Sequence, residues 1–148
     1  MGVDLQRDTP ACVARDINHV CIAVRDIEET MRFYEVAFGV GPAEIERVTD
    51  QAVIAAMVTV GSSQLEFIQP MDADSGVAKF IERRGEGLHH ICFDVDDLEA
   101  TLERLDSAGM ELIDKTPRKG LAGMIAFVHP SSTRGVLVEL VERSENRG

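Results

Sequence analysis

Two histidines and two glutamates carry the chemistry this sequence offers. His19 opens the stretch "HVCIAVRDIEETM" (19–31) and His90 opens "HICFDVDDLEATL" (90–102). Aligned without gaps, the two share His19/His90, Cys21/Cys92, Val24/Val95, Asp26/Asp97, Glu28/Glu99 and Thr30/Thr101. Further on, "QLEFI" (64–68) pairs with "LVELV" (137–141), which sets Glu66 over Glu139. His19 precedes Glu66 by 47 residues, and His90 precedes Glu139 by 49. One imidazole and one carboxylate per copy suit a divalent transition ion such as Co, Mn, Ni, Fe or Zn, with positions left for water or substrate. No thiolate is required. Cys12, Cys21 and Cys92 are odd in number, widely spaced and form no CxxC pair.

These side chains converge only if strands position them. A strand sends alternate residues to opposite faces, so His19, Cys21 and Ala23 share one face and Val20, Ile22 and Val24 the other. The same parity sets His90, Cys92 and Asp94 against Ile91, Phe93 and Val95. Glu66 lies between Leu65 and Phe67, and Glu139 between Val138 and Leu140. A carboxylate inside an apolar β run needs water or a cation on its own face. Two halves related by a pseudo-twofold would bring His19, Glu66, His90 and Glu139 to one centre. His89 has the opposite parity to His90 and is expected to be structural. His129, before Pro130, is expected to pack a turn, Tyr34 to be core, and Cys21 and Cys92 to be small buried hydrophobes.

The elements follow from periodicity. Ile27, Met31, Tyr34 and Phe38 fall on one helical face, with Asp26 and Glu29 placed for a capping box. Leu98, Leu102 and Leu105 repeat the stripe, with Asp96 and Glu99 as the expected cap and Gly109 as the stop. The runs 52–60, 63–70, 123–130 and 135–142 read as strands. Residues 74–87 read as a short connecting helix, capped by Ser75 and stopped near Gly85. Each half is therefore strand, helix, strands.

The totals narrow the function classes. The chain has 148 residues, is 45% hydrophobic and carries a net charge of −11. This suits one compact domain, or two small fused halves, with a real core. The negative charge argues against a nucleic-acid partner. No apolar run approaches the roughly 18–20 residues that span a bilayer, so no membrane partner is expected. The first residues have no secretory h-region. With scattered cysteines, this leads to the expectation of a cytoplasmic protein.

The chain resembles the vicinal oxygen chelate superfamily over about residues 16–142, and within it the methylmalonyl-CoA epimerases. The matching pieces are "INHVCIAVRDIEETMRFYEVAFGV", "LEFIQP", "DSGVAKFIERRGEGLHHICFDVDDLEATLERL" and "FVHPSSTRGVLVELVE". The strings "GEGLHHI" and "HPSSTRGVLVEL" are the most specific of them. The resemblance implies an α+β fold of two tandem βαβββ modules, about 16–70 and 87–142, joined by the helix 74–87. A flexible arm (1–15) precedes the single domain 16–142, and a tail (143–148) follows it. Carried over residue by residue, the family's metal ligands fall on His19, Glu66, His90 and Glu139, the four that spacing selects.

The implied activity is epimerisation of methylmalonyl-CoA, or a close 2-substituted malonyl-CoA, by proton transfer through a metal-stabilised enolate. Glu139 is the implied catalytic acid or base, an acyl-CoA thioester the small-molecule partner, and a homodimer the implied assembly. The sequence departs from the family in two places. The loop "KGLAGMIAF" has Leu121, Ala122 and Met124 where relatives are more polar, and "AVIAAMVTV" (52–60) has no carboxylate to serve as a second base. Lys115, Arg118 and Lys119 form the best local cation cluster for CoA phosphates. A glyoxalase-type lyase would use the same ligand set. An extradiol dioxygenase, using two His and one Glu, would leave Glu66 over. A metal-free binding or resistance protein of this fold would be expected to have lost the ligands.

Overall fold

The computed structural model describes residues 14–121 and 123–143. Most of the expected arm and tail lies outside the described residues. The described chain divides into two compact units, His19–His89 and a second made of His90 onward with the residues up to Asn18. The boundaries fall at the two histidines that begin the repeat.

In the first unit, β1 (Asp16–Ala23, from His19 on) is followed by α1 (Ile27–Phe38), β2 (Ile45–Val48), β3 (Val53–Val60), β4 (Ser63–Pro70) and α2 (Gly76–Arg84). The strand order is β2-β3-β4-β1, with β1 parallel to β4 and the other pairs antiparallel. The second unit carries β5 (Gly87–Val95, from His90 on), α3 (Leu98–Ser107), β6 (Arg118–Gly120), β7 (Gly123–Val128) and β8 (Val138–Glu142). Its order, β5-β8-β7-β6, repeats the first with one parallel and two antiparallel pairs. Each unit is thus a βαβββ module.

Local chemistry sets the helix ends. Asp26 Oδ1 accepts the Glu29 N–H at 3.1 Å, and α1 stops at Gly39, which takes the left-handed conformation (φ 67°). Ser75 Oγ accepts the Ala78 N–H at 3.1 Å to start α2. Arg83 and Arg84 in its last turn oppose the negative end of the helix dipole. The cap of α3 is Asp97, whose Oδ1 accepts the Ala100 N–H at 3.0 Å. Asp96, expected there, instead pairs with Arg15 at 2.7 Å and raises the pKa of that guanidinium. The repeat already pointed to Asp97, since it aligns with Asp26.

Helices α1 and α3 cover the sheet face away from the histidines, whereas α2 packs Val77, Phe80 and Ile81 against Cys21, Ala23 and Ile68 on the histidine side of the first unit. In the first unit, Ile27, Met31 and Tyr34 of α1 pack against Ile22, Leu65, Phe67, Ala56 and Val58. In the second, Leu98, Leu102 and Leu105 of α3 pack against Phe93, Val95, Ala126, Val128 and Leu140. Fully burying one such Leu or Phe stabilises the fold by about 1.5–3 kcal/mol. Phe38 departs from the expected stripe. It is 66% exposed at the end of α1, where its ring meets those of Phe33 and Tyr34. Strands β2 and β6 escape sequence reading because they are short, polar edge strands (IERV and RKG). Among the described residues, no helix is long and apolar enough to cross a membrane.

Candidate functional site

In the first unit, β1 and β4 run side by side with Cys21 opposite Glu66 and His19 opposite Gln64. Paired residues share a face, so His19, Cys21 and Glu66 all project from the side that α1 leaves uncovered. His19 Nε2 stands 3.5 Å from Glu66 Oε1, and both residues are buried. The second unit repeats this with Cys92 opposite Glu139. There His90 Nε2 stands 2.9 Å from Glu139 Oε1, again with both residues buried. Two donors bound to one ion at about 2.0–2.2 Å lie roughly 2.8–3.6 Å apart, from octahedral to tetrahedral geometry. Each pair is therefore spaced as two neighbouring ligands of one ion. A buried imidazole beside a buried carboxylate is also the donor chemistry such an ion selects.

Cys21 and Cys92 are wholly buried, as expected, and they lie on the ligand faces; Cys12 is outside the described residues. Cys92 Sγ lies within 4.8 Å of a Glu139 carboxylate oxygen. The ring of Phe127, opposite Glu139 on β7, meets His90 edge-on at 5.4 Å and helps fix its orientation. A buried polar pair sits beyond this: Asn18 Nδ2 donates to Asp94 Oδ1 at 3.1 Å. Asn18 is the repeat counterpart of His89.

His89 packs its ring against Phe80 of α2 at 4.8 Å and lies within 4.8 Å of the Cys21 sulfur. His89 therefore lies on the side of the sheet that carries His19, against α2, rather than out in solvent. His129 behaves as expected. It caps the turn after β7, its Nδ1 accepting the Ser131 N–H at 3.0 Å. Tyr34 packs on Phe67 at 4.9 Å.

Backbone pairing also places residues that the sequence left unassigned. On the ligand face of the first unit, one row runs Ala23, Ile68, Ala55 and Glu46 across β1, β4, β3 and β2. The corresponding row of the second unit runs Asp94, Val141, Ile125 and Arg118 across β5, β8, β7 and β6. Glu46 and Arg118 thus occupy equivalent outer positions on the two faces. Strand β3 brings no carboxylate to this face; it contributes Val53, Ala55, Met57 and Thr59. The cation cluster separates. Lys115 pairs with Asp106 at 3.8 Å, and Lys119 pairs with Met124 on the α3 side of the sheet, leaving Arg118 on the ligand face. Sequence reasoning missed this split because the pairing of β6 with β7 carries the signal.

Comparison with known proteins supplies the context for these pairs. Residues 18–128 match the model of the glyoxalase/bleomycin resistance protein/dioxygenase superfamily. The uncharacterized protein YqjC of Bacillus subtilis is 43% identical over 127 residues, covering 85% of this chain and 91% of that protein. The ethylmalonyl-CoA/methylmalonyl-CoA epimerase of Cereibacter sphaeroides is 33% identical, covering 84% of this chain and 95% of its own length. Among solved structures, a variant of the Streptomyces coelicolor methylmalonyl-CoA epimerase in complex with 2-nitronate-propionyl-CoA superimposes with a TM-score of 0.83. It is 33% identical and covers 90% of this chain and 97% of that one.

Proposed function

Because the chain belongs to the glyoxalase/bleomycin resistance protein/dioxygenase superfamily and, within it, to the methylmalonyl-CoA epimerase family, we propose that it interconverts the (2R) and (2S) forms of methylmalonyl-CoA or a close 2-substituted malonyl-CoA. The observation that carries this reading is the buried His–Glu pair on each unit's sheet face, at 3.5 Å and 2.9 Å. In this reading His19, Glu66, His90 and Glu139 hold one divalent ion. A bound ion would polarise the substrate's thioester and carboxylate oxygens and so acidify the carbon between them.

The chain's own groups then have separable tasks. The histidines bind as neutral imidazoles, with Phe127 holding the His90 ring in plane. Glu66 serves as a ligand. Glu139 serves as a ligand and, through its second oxygen, moves a proton to or from the α-carbon on its side. Buried apolar residues flank each pair, Cys21 and Ala55 in the first unit and Cys92 and Ile125 in the second, and would limit water near a carbanion-like centre. The partner is an acyl-CoA thioester and the setting the cytoplasm. A homodimer is part of the same proposal, supported by Phe33, Val36 and Phe38, which α1 leaves exposed.

The test is a coupled assay with racemic methylmalonyl-CoA beside the methylglyoxal–glutathione adduct, with metal analysis after exhaustive dialysis. Turnover of the thioester with a stoichiometric divalent ion is expected. Turnover of the adduct alone would make the protein a glyoxalase-type lyase. Absence of both metal and turnover would favour a binding module.

A further inference from the structure

We propose that Arg118 is a substrate-binding residue that takes an oxyanion of the acyl-CoA. This assignment rests on the epimerase reading and deepens it. Among strand residues of the second unit described here, Arg118 is the cation on the face that carries His90 and Glu139. Its guanidinium carbon lies 5.3 Å from the centre of the Phe127 ring, the same ring that meets His90 at 5.4 Å. One aromatic side chain therefore separates the cation from a metal-site histidine.

The arginine is oriented rather than loose. Its Nε lies 3.2–3.3 Å from the two Asp114 carboxylate oxygens. Asp114 is fixed in turn, since its Oδ2 accepts the Phe127 backbone N–H at 2.8 Å. Asp114 and the Phe127 ring thus hold the stem side of the guanidinium. The hydrogen bond to Asp114 uses Nε, so the two terminal nitrogens remain to grip an oxyanion with parallel N–H donors. The side chain is half exposed, so a ligand can reach it.

Charge sharpens the point. The protein carries −11 overall, and this sheet face otherwise presents Glu139 and Asp94, so an anionic substrate needs a local cation. The equivalent position of the first unit holds Glu46, the opposite charge. A polyanionic substrate therefore has a preferred side, set by this charge-reversed position on the outer strands.

The substrate offers two sources of oxyanion, the malonyl carboxylate and the CoA phosphates. Arg118→Met and Arg118→Lys would be compared with wild type on methylmalonyl-CoA and on methylmalonyl-pantetheine, which lacks the phosphates, and free CoA would be titrated calorimetrically. For Arg118→Met we expect KM for the CoA thioester to rise about tenfold or more with kcat changed less than about threefold. Partial recovery is expected in Arg118→Lys, which keeps the charge but not the fork. A KM rise confined to the CoA thioester, with weakened binding of free CoA, assigns the phosphates. A rise on both thioesters with CoA binding intact assigns the carboxylate. Unchanged KM on both thioesters and unchanged CoA binding in a folded Arg118→Met overturns the proposal while leaving the epimerase reading intact. Should wild type bind CoA through Arg118 yet epimerise neither thioester, the epimerase reading fails and the anion site stands. If Arg118→Met does not fold, Arg118→Gln takes its place in every arm.

Discussion

The two units are copies that have diverged on one face and not on the other. On the helix side, both pack a capped helix against an apolar sheet, with Asp26 and Asp97 doing the same work at equivalent positions. On the ligand side, the inner positions are kept: His19 and His90, Cys21 and Cys92, Glu66 and Glu139. The outer row is not kept. Ala23 of the first unit corresponds to Asp94 of the second, Ala55 to Ile125, and Glu46 to Arg118. Under the proposed function, symmetry would serve the ion, which takes like donors from both copies, and asymmetry would serve a substrate whose two ends and two faces differ.

The sharpest break of this comparison is His90→Ala beside His89→Ala. His90→Ala is expected to lose the bound ion and more than about a hundredfold of turnover. His89→Ala should retain metal and lose stability, because its ring supports Phe80 and α2. Equal metal loss in both, read by metal analysis, would remove the distinction between the adjacent histidines.

Next come the two glutamates. Glu139→Gln removes both a charged ligand and a proton carrier, and should lower kcat by about 10²–10⁴. Glu66→Gln keeps a ligand oxygen and should cost closer to tenfold. Equal losses would mean that both carboxylates move protons, and α-proton exchange in deuterated water would separate the two cases.

The cores provide a third comparison. Phe67→Ala in the first unit and Leu102→Ala in the second should each destabilise by about 2–5 kcal/mol, since both are fully buried. The smallest expected effects are at the caps. Asp26→Ala and Asp97→Ala should each cost about 1 kcal/mol in denaturant unfolding. A much larger cost for one would show that its helix depends on more than the cap.

Much of this was legible in the chain. The repeat gave the two-module α+β fold, and strand parity put His19 with Cys21, and His90 with Cys92, on one face of each strand, because successive side chains alternate; the pairing of β1 with β4 and of β5 with β8 then set each Glu on that face. The helix stripes were right for Ile27, Met31 and Tyr34 but not for Phe38. Periodicity marks which side of a helix faces the sheet, not where the sheet ends beneath it.

What the sequence by itself determined is the pairing of residue types: one histidine and one glutamate per copy, at nearly equal separation. What only the tertiary structure decided is the distance within each pair and the neighbours around it. The spacing of Nε2 from Oε1 depends on two strands distant in sequence lying side by side in a fixed pairing. The separation of Arg118 from Lys115 and Lys119 has the same origin. Three cations within five residues look like one cluster in the chain, and pairing with β7 sends Arg118 and Lys119 to opposite faces of a sheet. A linear sequence records side-chain parity; which face meets which neighbour is settled only when the backbone hydrogen bonds form.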